Sequence, residues 1–203
     1  MILKEYGDKS KATIILLHGG GLSWWNYRDV NDILKNDYHV IMPILDGHAN
    51  SDKHFTSIED NAKEIIDFID NNLDGHVLLI CGLSLGAQIL IEILSERDNI
   101  CDYAIIESAL VIPMKLTSIM IRPAISMSYS LISKRWFSKL QFKSLKINNT
   151  LFDDYYRDTR LINKEDMISF LKASTSYQIK GTLKRTKAKV LIAVGSKENN
   201  VMK

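Results

Sequence analysis

The chain has 203 residues, 46% of them hydrophobic, and a formal net charge of +2 at pH 7. This length and composition predict a single domain that has one substantial core and carries an insertion. No stretch approaches the roughly 20 uninterrupted apolar residues of a membrane span, which argues against stable membrane insertion. The N-terminus carries no long apolar segment with a cleavage site, so we expect a cytoplasmic protein. The two cysteines, Cys81 and Cys101, lie in apparent strands and are expected to be buried thiols, because no metal-ligand spacing accompanies them.

Charge is distributed unevenly along the chain. Residues 1–110 hold 8 Lys or Arg against 18 Asp or Glu, whereas residues 111–203 hold 18 against 6. Between residues 108 and 152 there is no acidic residue, although seven lysines and arginines fall there. Attraction between an acidic body and a basic insertion explains this pattern without any function. An anionic substrate or an anionic membrane surface approached by the basic segment would explain it as well.

The first buried-strand pattern covers residues 13–17 and ends in His18 and three glycines. Consecutive glycines let the backbone come close to a ligand, so the N–H groups of Gly20 or Gly21 can supply half of an oxyanion hole. A phosphate-binding loop would instead need spaced glycines or a following Gly-Lys-Ser/Thr, and neither is present. His18 is expected to shape this loop through a hydrogen bond rather than to transfer protons.

A second strand is predicted at residues 38–42, closed by Pro43, and a loop rich in turn formers follows at residues 46–52. His48 and His54 are candidates for a polar role in this part of the chain. Thr56 and Glu59 have the spacing of a capping box, which predicts a helix that ends before residues 74–75, Asp-Gly.

The central motif is Gly-Leu-Ser-Leu-Gly at residues 82–86, directly after an apolar run at residues 76–81 and before a helical pattern. A strand that turns abruptly into a helix forces one residue into strained geometry, and the flanking glycines have no side chains to clash there. Ser84 is therefore predicted to be a nucleophile, with the Leu85 N–H pointing at a developing oxyanion. A glycine-lined serine turn with no chemistry is the alternative.

Two later strands are predicted, and a long segment without strands separates them. One strand is predicted at residues 103–106, ending at Glu107, and another at residues 189–194, followed by residues 195–198, Gly-Ser-Lys-Glu. Residues 113–185 between them show no strand-like run, which predicts a mostly helical insertion lying over the site as a lid. Strands that alternate with helices specify an α/β fold with a mostly parallel, doubly wound sheet and an active site at the carboxyl ends of its strands. The predicted core therefore comprises residues 1–112 and 186–203.

This succession of motifs resembles the α/β-hydrolase superfamily over nearly the whole chain. The resemblance implies that Ser84 is the nucleophile and that the N–H groups of Leu85 and of Gly20 or Gly21 form the oxyanion hole. It places the triad acid at Glu198, after the late strand, or alternatively at Glu107. A serine at the nucleophile position argues against relatives that need an aspartate there, such as haloalkane dehalogenases and epoxide hydrolases.

The chain also departs from the pattern of that superfamily. Its members carry a general-base histidine after the acid, whereas all five histidines here lie at or before His76. The short N-terminus also leaves little room for the usual antiparallel strands. These departures favour a form that lost roughly its last 40 residues, judging from the resemblance, over one that works without the usual base. Such a form would turn over very slowly and would expose a sheet edge that an oligomer or partner could cover.

The leading expectation is a serine hydrolase that acts on a small carboxylic ester or related acyl substrate without a metal or organic cofactor. A catalytically inactive homologue that binds a small ligand or a protein under its basic lid is the alternative. A third idea is a lid that engages anionic lipid. Nucleic acid is not an expected partner.

Overall fold

The computed structural model describes residues 1–196 and contains a six-stranded sheet in the order β1-β3-β2-β4-β5-β6. The strands are β1 (Ile2–Tyr6), β2 (Thr13–Leu17), β3 (His39–Ile44), β4 (Val77–Leu83), β5 (Cys101–Glu107) and β6 (Lys189–Ala193). The α-helices are α1 (Arg28–Leu34), α2 (Ile58–Asn72), α3 (Leu85–Glu96), α4 (Lys115–Ile132), α5 (Arg135–Leu145), α6 (Phe152–Thr159) and α7 (Lys164–Ser176). Short 3-10 helices cover Trp24–Tyr27, Asn149–Leu151 and Gly181–Arg185.

All neighbouring strands from β3 to β6 pair in parallel, and β1 alone pairs antiparallel, with β3. The expectation that the short N-terminus leaves little room for the usual antiparallel strands is thus corrected in one respect, because one such strand, β1, is present there. The five residues of β1 suffice because they align directly with the end of β3, Leu3 opposite Pro43. Strand β3 also continues through Pro43 instead of closing there. Its pairing with β2 ends at Ile41, so the missing N–H of proline lies outside that ladder.

Both faces of the central strands are buried, which explains why the strand patterns lack polar alternation. Along β2, Ile15 and Leu17 join the larger apolar cluster that contains α2 and α3. Ile14 and Leu16 point to the opposite face and pack with Tyr27. This arrangement confirms the predicted doubly wound α/β fold.

Helix α2 begins one residue later than predicted. Its N-cap is Ser57, whose hydroxyl accepts a hydrogen bond from the Asp60 N–H at 2.9 Å. The predicted box of Thr56 and Glu59 is thus displaced by one position, because a second hydroxyl and a second carboxylate follow with the same spacing.

Helices α4 to α7 and two of the 3-10 helices fill the connection between β5 and β6, and the described chain has no strand there. We call residues 113–185 the helical insertion. Its end is tied to α3: the Lys180 ammonium pairs with Glu92, a side chain with 0% exposure, and the Tyr177 hydroxyl donates to the same carboxylate at 3.4 Å.

The far edge of the described sheet is much less covered than its centre. Strand β6 pairs only with β5 among residues 1–196, and Leu191 and Ile192 are 58% and 75% exposed. Of the helices in the same residues, none combines the length and the apolarity needed to cross a bilayer.

Candidate active site

Ser84 occupies a strained position between β4 and α3. Its backbone has φ 52° and ψ −110°, a combination that residues other than glycine rarely adopt. Two backbone hydrogen bonds hold the turn: the Ser84 N–H donates to the Glu107 carbonyl at 2.8 Å, and the Gln88 N–H donates to the Ser84 carbonyl at 3.0 Å. The surrounding sheet and helix therefore impose the strain, which leaves the serine between them.

The two glycines of the turn are required by close backbone approaches. A Cβ atom at Gly86 would lie 2.7 Å from the carbonyl oxygen of His18 and closer still to that of Leu17. A Cβ atom at Gly82 would lie 2.7 Å from the Ala87 nitrogen. Helix α3 thus packs directly on the ends of β2 and β4. This places the start of the helix beside residues 18–21, which we call the glycine loop.

The glycine loop adjoins the first turn of α3. A Cβ atom placed on Gly20 would lie 3.7 Å from the Cβ of Leu85, and Gly20 and Ser84 line one cavity. The N–H of Gly21 already donates to Nε2 of His48 at 3.0 Å, with Gly21 at φ 75°. Of the two predicted donors, Gly20 is therefore the one we retain for the oxyanion hole.

Two buried histidines, His18 and His48, stabilise the glycine loop through hydrogen bonds. Nε2 of His18 accepts from the Leu45 N–H at 3.1 Å, and Nε2 of His48 accepts from Gly21. Their protons consequently reside on Nδ1, which donates to the Gly19 carbonyl from His18 at 2.9 Å and to the Asp46 carbonyl from His48 at 3.0 Å. This confirms the loop-shaping role predicted for His18.

Burial keeps both rings neutral. Desolvation, with a further contribution from His48, lowers the pKa of His18 to about 3, and desolvation lowers the pKa of His48 to about 4. The ring of His48 also stacks on Phe170 of α7, with centroids 4.6 Å apart. The glycine loop is therefore fixed from one side by the segment that follows β3 and from the other by the insertion.

A cavity of about 610 Å³ opens in front of Ser84. The core contributes the glycine loop, the turn and the ends of β5 and β6 to its walls, and the insertion contributes the residues that end α5. The lining residues are Gly19, Gly20, Leu22, Leu83, Ser84, Glu107, Ser108, Ser144, Leu145, Lys146, Ile147, Gly195 and Ser196.

The structure brings most of the predicted site together. Ser84 and Gly20 line the cavity, Leu85 is the first residue of α3, and Glu107 lines the same cavity at the end of β5. Glu198, the favoured acid, lies outside the described residues. The sequence analysis did not single out Lys146, because seven basic residues share the acid-free segment and nothing in the pattern separates one from another.

Every histidine of the chain lies in the described part and is engaged elsewhere. His39 contacts Thr13 and Glu5, His54 hydrogen-bonds Asp166 at 3.0 Å, and His76 contacts the Asn99 carbonyl and Asp102. Together with the loop-shaping pair, this accounts for all five. Among residues 1–196, none of them hydrogen-bonds Ser84.

A mostly parallel sheet with a strained serine between strand and helix, facing a glycine loop, defines an α/β hydrolase. The family model described as "Serine aminopeptidase, S33" matches residues 8–199. The chain belongs to this family. A search of curated proteins found no match.

Solved structures support the same fold. An α/β-hydrolase family protein from Desulfitobacterium hafniense is 20% identical with a TM-score of 0.74, over 95% of this chain and 79% of that one. A thermophilic esterase from Thermogutta terrifontis is 12% identical with a TM-score of 0.76, over 95% and 74%. A carboxylesterase from Nitrososphaera gargenis is 15% identical with a TM-score of 0.77, over 99% and 78%. At these identities the likeness establishes the fold.

Proposed function

We propose that the protein is a serine hydrolase that acts on a small carboxylic ester or a related acyl compound. The observation that carries this proposal is the strained Ser84 backbone, which holds the serine in the same cavity as Gly20. Backbone strain of this kind persists where a function requires it. The esterase and the carboxylesterase among the structural neighbours favour an ester over other acyl compounds.

In the proposed reaction, Ser84 Oγ forms a bond to the carbonyl carbon while the carbonyl oxygen gains negative charge. The N–H groups of Leu85 and Gly20 would donate hydrogen bonds to that oxygen, and the start of α3 adds the positive end of a helix dipole. The bond to the leaving alcohol then breaks, the alcohol takes up the proton lost by the serine, and water releases the acid from the acyl-enzyme.

The acid that orients the base in this proposal is Glu198, in keeping with the resemblance, and Glu107 is the alternative. Glu107 has one observation in its favour, because it lines the cavity with Ser84. Replacement of each by glutamine distinguishes them in the labelling test below, because only the loss of the acid should weaken the effect of added imidazole on Ser84.

The general base is the component that the five histidines do not supply. A serine of such a triad without its histidine loses on the order of a million-fold in turnover. We therefore expect residues 1–203 on their own to be very slow, and a small base added in solution to restore part of the reactivity of Ser84. Imidazole suits this purpose because its neutral form predominates above about pH 7.

The test is covalent labelling with a fluorophosphonate, read by mass spectrometry of the Ser84 peptide, with and without imidazole at about pH 8. The proposal predicts an adduct on Ser84 whose rate of formation rises with imidazole concentration. Ser84→Ala should remove the adduct, whereas Ser108→Ala, at a neighbouring serine of the cavity, should retain it.

A second candidate function, a non-catalytic homologue that binds a ligand or a protein partner under the insertion, is favoured by the hydrogen-bonding of the five histidines. Under that hypothesis Ser84 is an ordinary alcohol at every imidazole concentration. A folded wild-type protein that shows no adduct at saturating imidazole would therefore replace the first proposal with the second.

A further inference from the structure

Strained residues converge on the cavity in front of Ser84. Five non-glycine residues in residues 1–196 have positive φ, and three of them line this one cavity: Ser84 at 52°, Ser108 at 53° and Lys146 at 55°. The first two belong to the turn and to the end of β5. The third comes from the insertion, which makes Lys146 an unexpected member of the group.

Position 146 ends α5, where the left-handed conformation is most often filled by glycine. A lysine there costs roughly 1 kcal/mol relative to glycine, because its Cβ crowds the following backbone. The fold itself therefore gives no reason for a long basic side chain at this position. A residue kept at such a cost is a candidate for a function.

The segment that carries Lys146 is anchored on both sides. Before it, Phe142 is buried in an apolar cluster with Leu22 and Trp25, and directly after it, Ile147 packs against the same cluster. The side chain of Asn148 donates to Asp29 at 3.3 Å. The backbone of Lys146 is thus held beside the glycine loop.

The Lys146 ammonium has no carboxylate partner in the described part of the chain. Several other basic residues of the insertion do have one: Arg122, for example, pairs with Glu165 at 2.8 Å, and Arg135 pairs with Asp153 at 2.6 Å. Among the described residues that line the cavity, Glu107 is the only acidic one, and it does not form an ion pair with Lys146. The cavity therefore has one cationic wall, on the side of the insertion.

We propose that Lys146 binds an anionic group of the acyl substrate, so that Ser84 acts on compounds that carry a carboxylate or a phosphate some bonds away from the reacting carbonyl. The inference rests on the proposed function, since the substrate is the one attacked by Ser84. The apolar residues Leu22, Leu83, Leu145 and Ile147 would contact the carbon atoms between the two groups.

Binding of unreactive ketones tests this proposal directly. The probes are 5-oxohexanoate, which carries a carbonyl and a carboxylate, and 5-oxohexanamide, its neutral counterpart, titrated by calorimetry at low ionic strength. We expect the carboxylate to bind about fivefold more tightly, as is typical of an exposed charge pair. The preference should shrink in high salt, because salt screens exposed charges. Titration of 4-oxopentyl phosphate then determines which of the two anions binds more tightly.

Substitutions assign the preference to Lys146. Lys146→Gln should reduce the ratio to about one, and Lys146→Arg should retain it. Lys143→Gln is the matched control: Lys143 lies one turn earlier on α5 and lines a separate depression with Trp136 and Phe152, so the ratio should not change. Lys146→Gly removes the amine and relieves the left-handed backbone. It should therefore lose the preference while its melting temperature stays the same or rises.

Two results would overturn the proposal: equal binding of the carboxylate, the phosphate and the amide, or a preference that survives in Lys146→Gln. The same titrations on Ser84→Ala separate this inference from the proposed function, because the anion preference does not need the nucleophile. If the protein prefers the anion but Ser84 is not labelled, Lys146 is part of a binding site and only the proposed hydrolase function is refuted.

Discussion

The turn around Ser84 and the helical insertion are held in place by different kinds of contact. At the turn, the contacts are between backbone atoms: Gly86 lies against the carbonyls of Leu17 and His18, and the Ser84 N–H donates to Glu107. The insertion is attached through side chains, such as Lys180 on Glu92, and leaves large apolar groups exposed, Leu116 at 83% and Met127 at 82% among them.

This difference indicates that the turn cannot change in sequence without losing its structure, whereas the insertion can. Backbone contacts tolerate no change at the glycines, so the geometry of Ser84 is set by a few positions. Side-chain contacts can be exchanged one at a time, so the insertion can change the shape and charge of the cavity while the turn is preserved. On this view the core provides the chemistry and the insertion provides the selectivity.

The largest expected effect on stability comes from a substitution that disrupts the turn around Ser84. Gly86→Ala forces a Cβ atom against two carbonyl oxygens, and we expect it to lower the free energy of unfolding by at least about 3 kcal/mol. Gly181→Ala in the insertion is the control, because a Cβ there meets no atom within 4 Å. Urea unfolding of both variants measures the contrast. Equal stability of the two would contradict the account of the turn.

The next effect tests the attachment of the insertion. Lys180→Met leaves the fully buried Glu92 carboxylate without its cation, and we expect a loss of about 2 kcal/mol, discounted because the lysine itself is half exposed. Arg122→Met breaks an exposed pair with Glu165 and should cost less than about 0.5 kcal/mol. Chemical denaturation compares them, and a larger loss for Arg122→Met would be inconsistent with this attachment.

The glycine loop should respond to pH through His48. Its pKa of about 4 in the folded protein lies below the unfolded value near 6.5, so the unfolded state binds the proton first and stability falls as the pH drops below about 6.5. At about pH 5 the loss from this residue is on the order of 2 kcal/mol.

His48→Gln isolates that contribution, because glutamine does not titrate. Asp46, whose pKa burial raises to about 6, contributes the opposite slope to both proteins and cancels in the comparison. Denaturant unfolding from about pH 8 to pH 5 should show a steeper decline for the wild type. Parallel curves would show that His48 is not buried in neutral form.

The smallest expected effect measures the backbone strain at Ser84 itself. Ser84→Gly relieves the positive φ and should raise the free energy of unfolding by about 1 kcal/mol, whereas Ser84→Ala retains the strain and should leave it nearly unchanged. Thermal and denaturant unfolding of the pair provide the readout. If the wild type has the same free energy of unfolding as Ser84→Gly or a higher one, the backbone at position 84 is relaxed and the account of the strain is wrong.

The sequence predicted the turn and the central strands well, because their signals are local. Glycines on both sides of Ser84 and uninterrupted apolar runs each depend on a few adjacent residues. β1 was missed because it is short and none of its residues is fully buried, and its role appears only when it pairs with β3.

The insertion could be predicted as helical but not in its contacts. Which residue of the basic segment reaches the cavity depends on where α5 ends and on how Phe142 and Ile147 pack against Trp25, a contact between residues more than a hundred positions apart. The hydrogen bond that occupies the Gly21 N–H likewise depends on His48, 27 residues away. Long-range packing of this kind leaves no periodic pattern in a sequence.

The most direct test of the central claim is a crystal structure of the protein after reaction with a fluorophosphonate in the presence of imidazole. Ser84, at the junction of β4 and α3, should carry the phosphonyl group, with one phosphonyl oxygen within about 3.1 Å of the nitrogens of both Leu85 and Gly20. An adduct on another residue, or a phosphonyl oxygen that turns away from the Gly20 nitrogen, would contradict the account.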